Sequence, residues 1–230
     1  MLKNLLKKRK QSFIKENKIM KKVLYITANP KSEQYSYSLK AGQSFIQKYM
    51  KMNPEDEVTR LDLYDLDIPF IDEDVFSGWG KLAEGVAFDE LIKLEQHKVN
   101  TINQFTEQFM EADKYVFVTP MWNLSLPPKV KMYIDTLMIA GKTFHYTEQG
   151  PKGLLKDKKA FHIHASGGVY SSQELSPFEF GDSYLKTVLG FMGVTDYASI
   201  LLEGTAMAQD DGDEIHHKAN QQIDMTISAF

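Results

Sequence analysis

Apolar residues along this chain recur with two different periods, and the two alternate from end to end. Short apolar runs rich in β-branched and aromatic residues stand at positions 23–27 (VLYIT), 115–119 (YVFVT), 160–165 (AFHIHA) and 197–202 (YASILL), while 58–63 (VTRLDL) alternates apolar with polar. Continuous runs of this length predict strands covered on both faces, as in a parallel sheet. Between them lie segments of helical spacing: 38–49, whose Leu39, Phe45, Ile46 and Tyr49 share a stripe, then 88–110, 129–140, 184–192 and 214–229. Residues 68–86, interrupted by Pro69, Gly78, Gly80 and Gly85, follow neither period and predict irregular chain. Strand and helix alternating throughout point to an α/β protein with a parallel sheet.

Five strands suit a doubly wound, flavodoxin-like sheet in the order 2-1-3-4-5 with helices on both faces. In such a sheet a ligand lies outside the carboxyl ends of the strands where the winding reverses. The segments to read for chemistry are therefore those after the first, third and fourth strands: "NPKSEQYSYS", "PMWNL" and "ASGG".

Composition narrows the classes. The 230 residues are 43% hydrophobic and 25% charged, ordinary values for one globular domain. Cysteine is absent, which removes disulfides, thiolate metal sites and the thiolate phosphatases, and suits a reducing, cytoplasmic setting. No apolar run is long enough for a membrane span. Residues 1–19 carry seven Lys or Arg and one Glu, a net +6, so residues 20–230 sum to −10. An acidic body argues against a nucleic-acid partner. The basic leader reads either as a dispensable extension or as an interaction arm, with the domain proper spanning residues 20–230 from Met20.

The three loops lack a G-x-G-x-x-G fingerprint and a P-loop. The first offers Ser36, Tyr37 and Ser38 at a helix start. Hydroxyls and helix N-terminal N–H groups there suit a phosphate, although serine also caps helices with no ligand. The second offers Met121, Trp122, Asn123 and Leu124. Apolar, polarisable surface beside one amide suits a flavin ring; the other reading is ordinary core. In the third, Gly167 and Gly168 let backbone approach a ligand edge, or simply make a turn. His162 and His164 share one strand face, but no third ligand follows at metal spacing, so they read as packed or hydrogen-bonded histidines rather than a metal site. Ser166 is outside any G-x-S-x-G elbow, which removes a hydrolase reading.

Taken together, "KVLYITANP", "YSYSLKAGQSF", "TPMWNLSLPPKVKMYIDTLMIAGKTFHYTEQGPKGLLKDKKA", "SGGVY" and "YLKTVLGFMGVTD" resemble the AcpD-type FMN-dependent NADH:azoreductases, also called NADH:quinone oxidoreductases, over about 210 residues from Met20. The resemblance implies non-covalent FMN, NADH as electron donor, quinones and azo compounds as acceptors, a ping-pong two-electron route and a homodimer. It implies that Ser36, Tyr37 and Ser38 hold the phosphate, with Asn29 nearby. Met121, Trp122, Asn123 and Leu124 cradle the ring, and Ala165, Ser166, Gly167 and Gly168 meet its pyrimidine edge. Tyr146 and Phe191 line a substrate pocket across the dimer. The family's loop is often Ser-Arg-Gly-Gly, so the Ala-Ser-Gly-Gly here lacks its cation. A one-electron carrier and a non-catalytic flavin binder are the competing readings.

Overall fold

The computed structural model describes residues 20–208 and 212–230; the expectation of a dispensable segment 1–19 falls outside them. Seven strands are β1 (Lys22–Thr27), β2 (Glu57–Asp62), β3 (Lys114–Pro120), β4 (Phe144–Thr147), β5 (Gly150–Gly153), β6 (Lys159–Ala165) and β7 (Asp196–Leu202). The helices are α1 (Tyr37–Met52), α2 (Glu73–Ala83), α3 (Lys93–Glu111), α4 (Pro128–Leu137), α5 (Asp182–Met192) and α6 (Asp213–Thr226). Five strands form one sheet in the order β2-β1-β3-β6-β7, every neighbouring pair parallel. The reversal of winding between β1 and β3 leaves their carboxyl ends side by side, with Thr27 opposite Val118 and Thr119 opposite His164.

Each strand sends alternate side chains to opposite faces. Leu24 and Ile26 of β1 join Tyr115 and Phe117 of β3 in a core closed by Phe109 of α3, Val130 and Tyr133 of α4, and Leu185 and Leu189 of α5. Val23 and Tyr25 join Val116, Val118, Phe161 and Ile163 in a second core, closed by Phe45 and Tyr49 of α1 and Ile223 of α6. Helices therefore cover both faces, as the apolar runs required.

Two features differ from the pattern. Strands β4 and β5 pair antiparallel as a separate hairpin; four-residue strands are too short to show a period. Residues 68–86, expected to be irregular, contain α2. Its start is marked by Asp72, whose carboxylate caps the Val75 N–H at 3.3 Å, followed by Glu73 and Asp74, which suit the positive end of the helix dipole. Lys98 of α3 reaches Asp72 at 2.6 Å and Asp74 at 2.5 Å, and Lys81 of α2 reaches the buried Glu95 of α3 at 2.6 Å. Gly78 lets the two helices close up: a Cβ there would stand 3.0 Å from Val99 Cγ2. The glycine that looked like a helix breaker is the contact that seats the helix.

The close approach predicts that Gly78→Leu lowers stability by about 1–3 kcal/mol, the cost of overpacking. Urea unfolding measures it, and a midpoint unchanged from the wild type would mean that α2 does not depend on this contact.

Candidate active site

The β1–α1 loop carries a buried polar cluster. Asn29 Nδ2 donates to Ser36 Oγ at 2.8 Å, Ser36 and Ser38 hydroxyls lie 3.2 Å apart, and the Leu39 N–H donates to Ser36 Oγ at 3.2 Å. Ser36 is thus the N-cap of α1 and Asn29 fixes its rotamer. The N–H groups of Tyr37 and Ser38 have no partner among the described residues, so the first turn of α1 keeps free donors. The Tyr37 side chain is engaged elsewhere: its ring stacks on His216 of α6, centroids 5.1 Å apart. A cavity of about 370 Å³ lined by Gln34, Tyr35, Ser36, Tyr37, Lys40 and His216 adjoins the cluster.

After β3 the chain makes a two-residue turn. Trp122 and Ser125 exchange backbone hydrogen bonds at 2.8 and 3.0 Å, and Asn123 and Leu124 between them have φ of 48° and 70°. Two successive left-handed residues are the mark of a type I′ turn. Asparagine tolerates that conformation; leucine does so only at a cost. The turn stands out from the protein: Trp122 is 36% and Leu124 37% exposed, so these residues are not core. Trp122 meets Tyr64, two residues beyond the end of β2, edge to face at 6.2 Å. Met121 ties the turn to β6 by donating its N–H to Ala165 O at 2.7 Å. Phe180 N–H donates to Leu124 O at 2.9 Å, and Ser125 Oγ donates to Phe180 O at 3.3 Å.

The third loop is stitched to the segment after β7. Ser166 N–H donates to Leu202 O, Thr205 N–H to Ser166 O, Ala206 N–H to Gly167 O and Gly204 N–H to Gly168 O. Ser166 Oγ donates to Gly168 O at 2.9 Å. Their carbonyls are taken, while the N–H groups of Gly167 and Gly168 have no partner among the described residues. The three loops thus meet at the carboxyl ends of β1, β3 and β6 and present hydroxyls, free N–H groups and one exposed indole.

Tyr146 and Phe191 are not part of this group within the chain. Phe144 links them, with centroids 5.5 Å from Tyr146 and 4.9 Å from Phe191. Phe191 closes the far end of α5, roughly 15 Å along the helix from its start beside the strand ends. Tyr146 is 74% exposed.

His162 and His164 are buried and hydrogen-bonded, as their spacing implied. Thr119 Oγ1 lies 2.8 Å from both His162 Nε2 and His164 Nδ1. His162 Nδ1 meets Asp182 Oδ1 at 2.7 Å, and Asp182 also accepts from Tyr197 and Ser199. No cluster of three or more metal-ligating side chains exists among the described residues. Burial, reinforced by His162, pushes His164 down to about 3. Burial opposes the Asp182 charge, yet hydrogen bonding and charge from His162, with Tyr197 and Ser199, hold it at about 2. Sequence reading missed Thr119, Asp182 and Tyr64 as neighbours of the site, because each belongs to a different element and only Asp182, as an acid in a helix's first turn, carried any local signal.

The class follows from this frame. A family model described as a flavodoxin-like fold matches residues 21–227. FMN-dependent NADH:quinone oxidoreductase 3 of Halalkalibacterium halodurans is 53% identical over 196 residues, spanning 85% of this chain and 93% of its own. The FMN-dependent NADH:quinone oxidoreductase of Geobacillus kaustophilus is 53% identical over 201 residues, 87% of this chain and 94% of its own. The crystal structure of an FMN-dependent NADH-azoreductase from Bacillus anthracis in complex with FMN is similar at a TM-score of 0.85 and 34% identity, covering 91% of this chain and 99% of that one. This chain belongs to the flavodoxin-like fold family, in its branch of FMN-dependent NADH:quinone oxidoreductases and azoreductases.

Asp182 and His164 set an acid limb of stability. Asp182 lies below its unfolded value of about 3.9, so its contribution is complete above about pH 4 and fades toward 2. His164 stays neutral in the folded protein where the unfolded chain takes up a proton. Its contribution is complete above about pH 6.5 and lost as pH falls toward 3. Melting temperature is expected to fall continuously from pH 6.5 to 3, and His164→Gln to flatten the limb between 6.5 and 4. A wild-type profile level down to pH 4.5 would contradict the buried neutral imidazole.

Proposed function

We propose that this chain is an FMN-dependent NADH:quinone oxidoreductase that also reductively cleaves aromatic azo compounds, working as a cytoplasmic homodimer. The observation that carries the reading is the exposed left-handed turn at Asn123 and Leu124, set between a buried hydroxyl cluster and free glycine N–H groups. This donor set fits FMN. Ser36, Ser38 and the N–H groups of Tyr37 and Ser38 suit a phosphate, Asn29 holding Ser36 toward it. Met121, Trp122, Asn123 and Leu124 suit a planar ring, and Ala165, Ser166, Gly167 and Gly168 suit its pyrimidine edge.

Bound FMN supplies hydride acceptance from NADH and two-electron donation to the acceptor. The chain's own residues bind and orient. Trp122 gives an apolar face, the Asn123 amide a polar contact at the ring edge, and the N–H groups of Gly167 and Gly168 meet negative charge without the arginine common in the family. The alternative of a one-electron carrier is disfavoured by the relatives, which are named as NADH:quinone oxidoreductases. The domain begins at Met20, and residues 1–19 are a dispensable extension.

FMN titration of the apoprotein tests the reading, with about one FMN bound per chain expected and the same uptake by a chain shortened to residues 20–230. Asn123→Gly removes the amide yet keeps the turn, because glycine accepts positive φ freely; Asn123→Leu would add strain to the loss. The expected cost is about 1–3 kcal/mol, split between FMN affinity and NADH reduction rate. No uptake of FMN by the wild type would overturn the function, and no change in Asn123→Gly would remove the amide from the site.

The homodimer rests on Tyr146 and Phe191, an aromatic pair lying away from the strand ends of its own chain with Tyr146 largely open to solvent. Tyr146→Ala is expected to lower kcat/KM for quinone about tenfold or more while FMN affinity stays within about twofold. Full turnover in a species that sediments as a monomer would contradict this.

A further inference from the structure

The polar layer beneath the turn reaches the proposed ring shelf through one continuous path. Thr119, His162 and His164 are all at least 98% buried and lie on the sheet face covered by α5. A hydroxyl has one proton, so Thr119 donates to one imidazole and accepts from the other. Among the described residues no other side chain bonds His162 Nε2 or His164 Nδ1; Asp182 and Tyr197 also hold His162 through Nδ1, whereas His164 depends on Thr119. Asp182, Tyr197 and Ser199 face His162 from α5 and β7, and Glu179 faces His164.

The outer edge of His164 meets the turn that leads into α5. Its Nε2 has no hydrogen-bond partner among the described residues and stands 3.9 Å from Glu179 Oε1. A Cβ on Gly181 would fall 2.6 Å from that nitrogen, so the ring and the Gly181 backbone are in direct contact. Glu179 also binds the turn, accepting from the N–H groups of Gly181 and Asp182 at 2.7 Å each and of Ser183 at 2.9 Å. Phe180, held between these anchors, uses its own N–H and carbonyl on Leu124 and Ser125. Leu124 is the strained residue of the shelf, and its carbonyl is oriented by this bond.

We propose that Thr119 and His164 are positioning residues of the flavin shelf: the imidazole is the surface on which Gly181, the residue after Phe180, rests, and Thr119 sets the orientation of that imidazole. The inference rests on the reading of Trp122, Asn123 and Leu124 as the bed of the FMN ring. Neither Thr119 nor His164 reaches the ring; they act through the Phe180 backbone on the Leu124 carbonyl.

The test compares Thr119→Val, close in shape but without the hydroxyl, with Thr119→Ser, which restores it. Two quantities are measured: FMN affinity of the apoprotein by fluorescence, and hydrogen exchange of individual backbone amides in the protein without FMN. Thr119→Val is expected to speed exchange of the Phe180 amide about tenfold or more and weaken FMN binding about tenfold. Protection of Leu24 in β1 should be retained, and Thr119→Ser should return both quantities to within about threefold. A purely structural role would lower protection at Leu24 and Phe180 alike, and that result overturns the proposal. So does a Thr119→Val protein with Phe180 exchange and FMN affinity within about twofold of the wild type. Should Thr119→Val not fold, His164→Gln decides by the same Phe180 measurement, an unchanged rate again overturning the proposal. The exchange arm needs no FMN, so a wild type that failed to bind FMN would defeat the functional reading while the link from Thr119 to Phe180 is still decided.

Discussion

Two consecutive left-handed residues at the mouth of a buried strand are the constraint on which this site depends. A leucine in that conformation costs roughly 1–2 kcal/mol, and the cost is tolerated only where the surroundings determine the backbone. Here Trp122 and Ser125 close the turn on itself, Met121 ties it to Ala165, and Phe180 binds Leu124 from outside. The outcome is a turn that shows its indole, its amide and its backbone to solvent. A relaxed strand end would have folded the same side chains into the core.

The parallel sheet makes that turn useful by bringing two other loops to it. Because β1, β3 and β6 are neighbours and all run the same way, their carboxyl ends emerge together. The register then sets a hydroxyl cluster, an apolar shelf and a glycine loop in adjacent positions. Each loop satisfies its own buried polar groups first: Asn29 serves Ser36, and the segment after β7 serves the carbonyls of Ser166, Gly167 and Gly168. What is left over, among the described residues, is a set of N–H donors without partners, those of Tyr37, Ser38, Gly167 and Gly168.

Much of the fold was legible in the residues, and the reasons are local. The runs 23–27, 115–119 and 160–165 are apolar at consecutive positions because both of their faces are covered, so the parallel strands announced themselves. Trp122 stood out because a bulky aromatic is unusual at a strand end, while Ser36 and the Gly167–Gly168 pair, ordinary cap and turn residues, drew notice through their place at the sheet's reversal. The helix α2 was not, since Gly78 and Gly80 lower helix propensity locally and the compensation comes from Val99, Glu95 and Lys98 of another helix. The hairpin of β4 and β5 was too short for any period. The stacking of the Tyr37 ring on His216 of α6 was equally invisible, because that partner lies about 180 residues away and no local pattern connects the two.

The division between the two sources of information is physical. Alternation of apolar and polar residues, helix caps and special turn residues act over a few positions, so the chain alone determined the five parallel strands and most of the helices, though not α2 or the β4–β5 hairpin, together with which loops lie at the sheet's reversal and which residue types wait there. Whether those residues converge depends on strand order and register, and whether Trp122 is shelf or core depends on a backbone bond from Phe180, whose own position is set by Glu179 and His164. Such contacts join residues tens of positions apart and exist only once the chain has packed, which is why the polar layer of Thr119, His162, His164 and Asp182 became visible only in the tertiary structure.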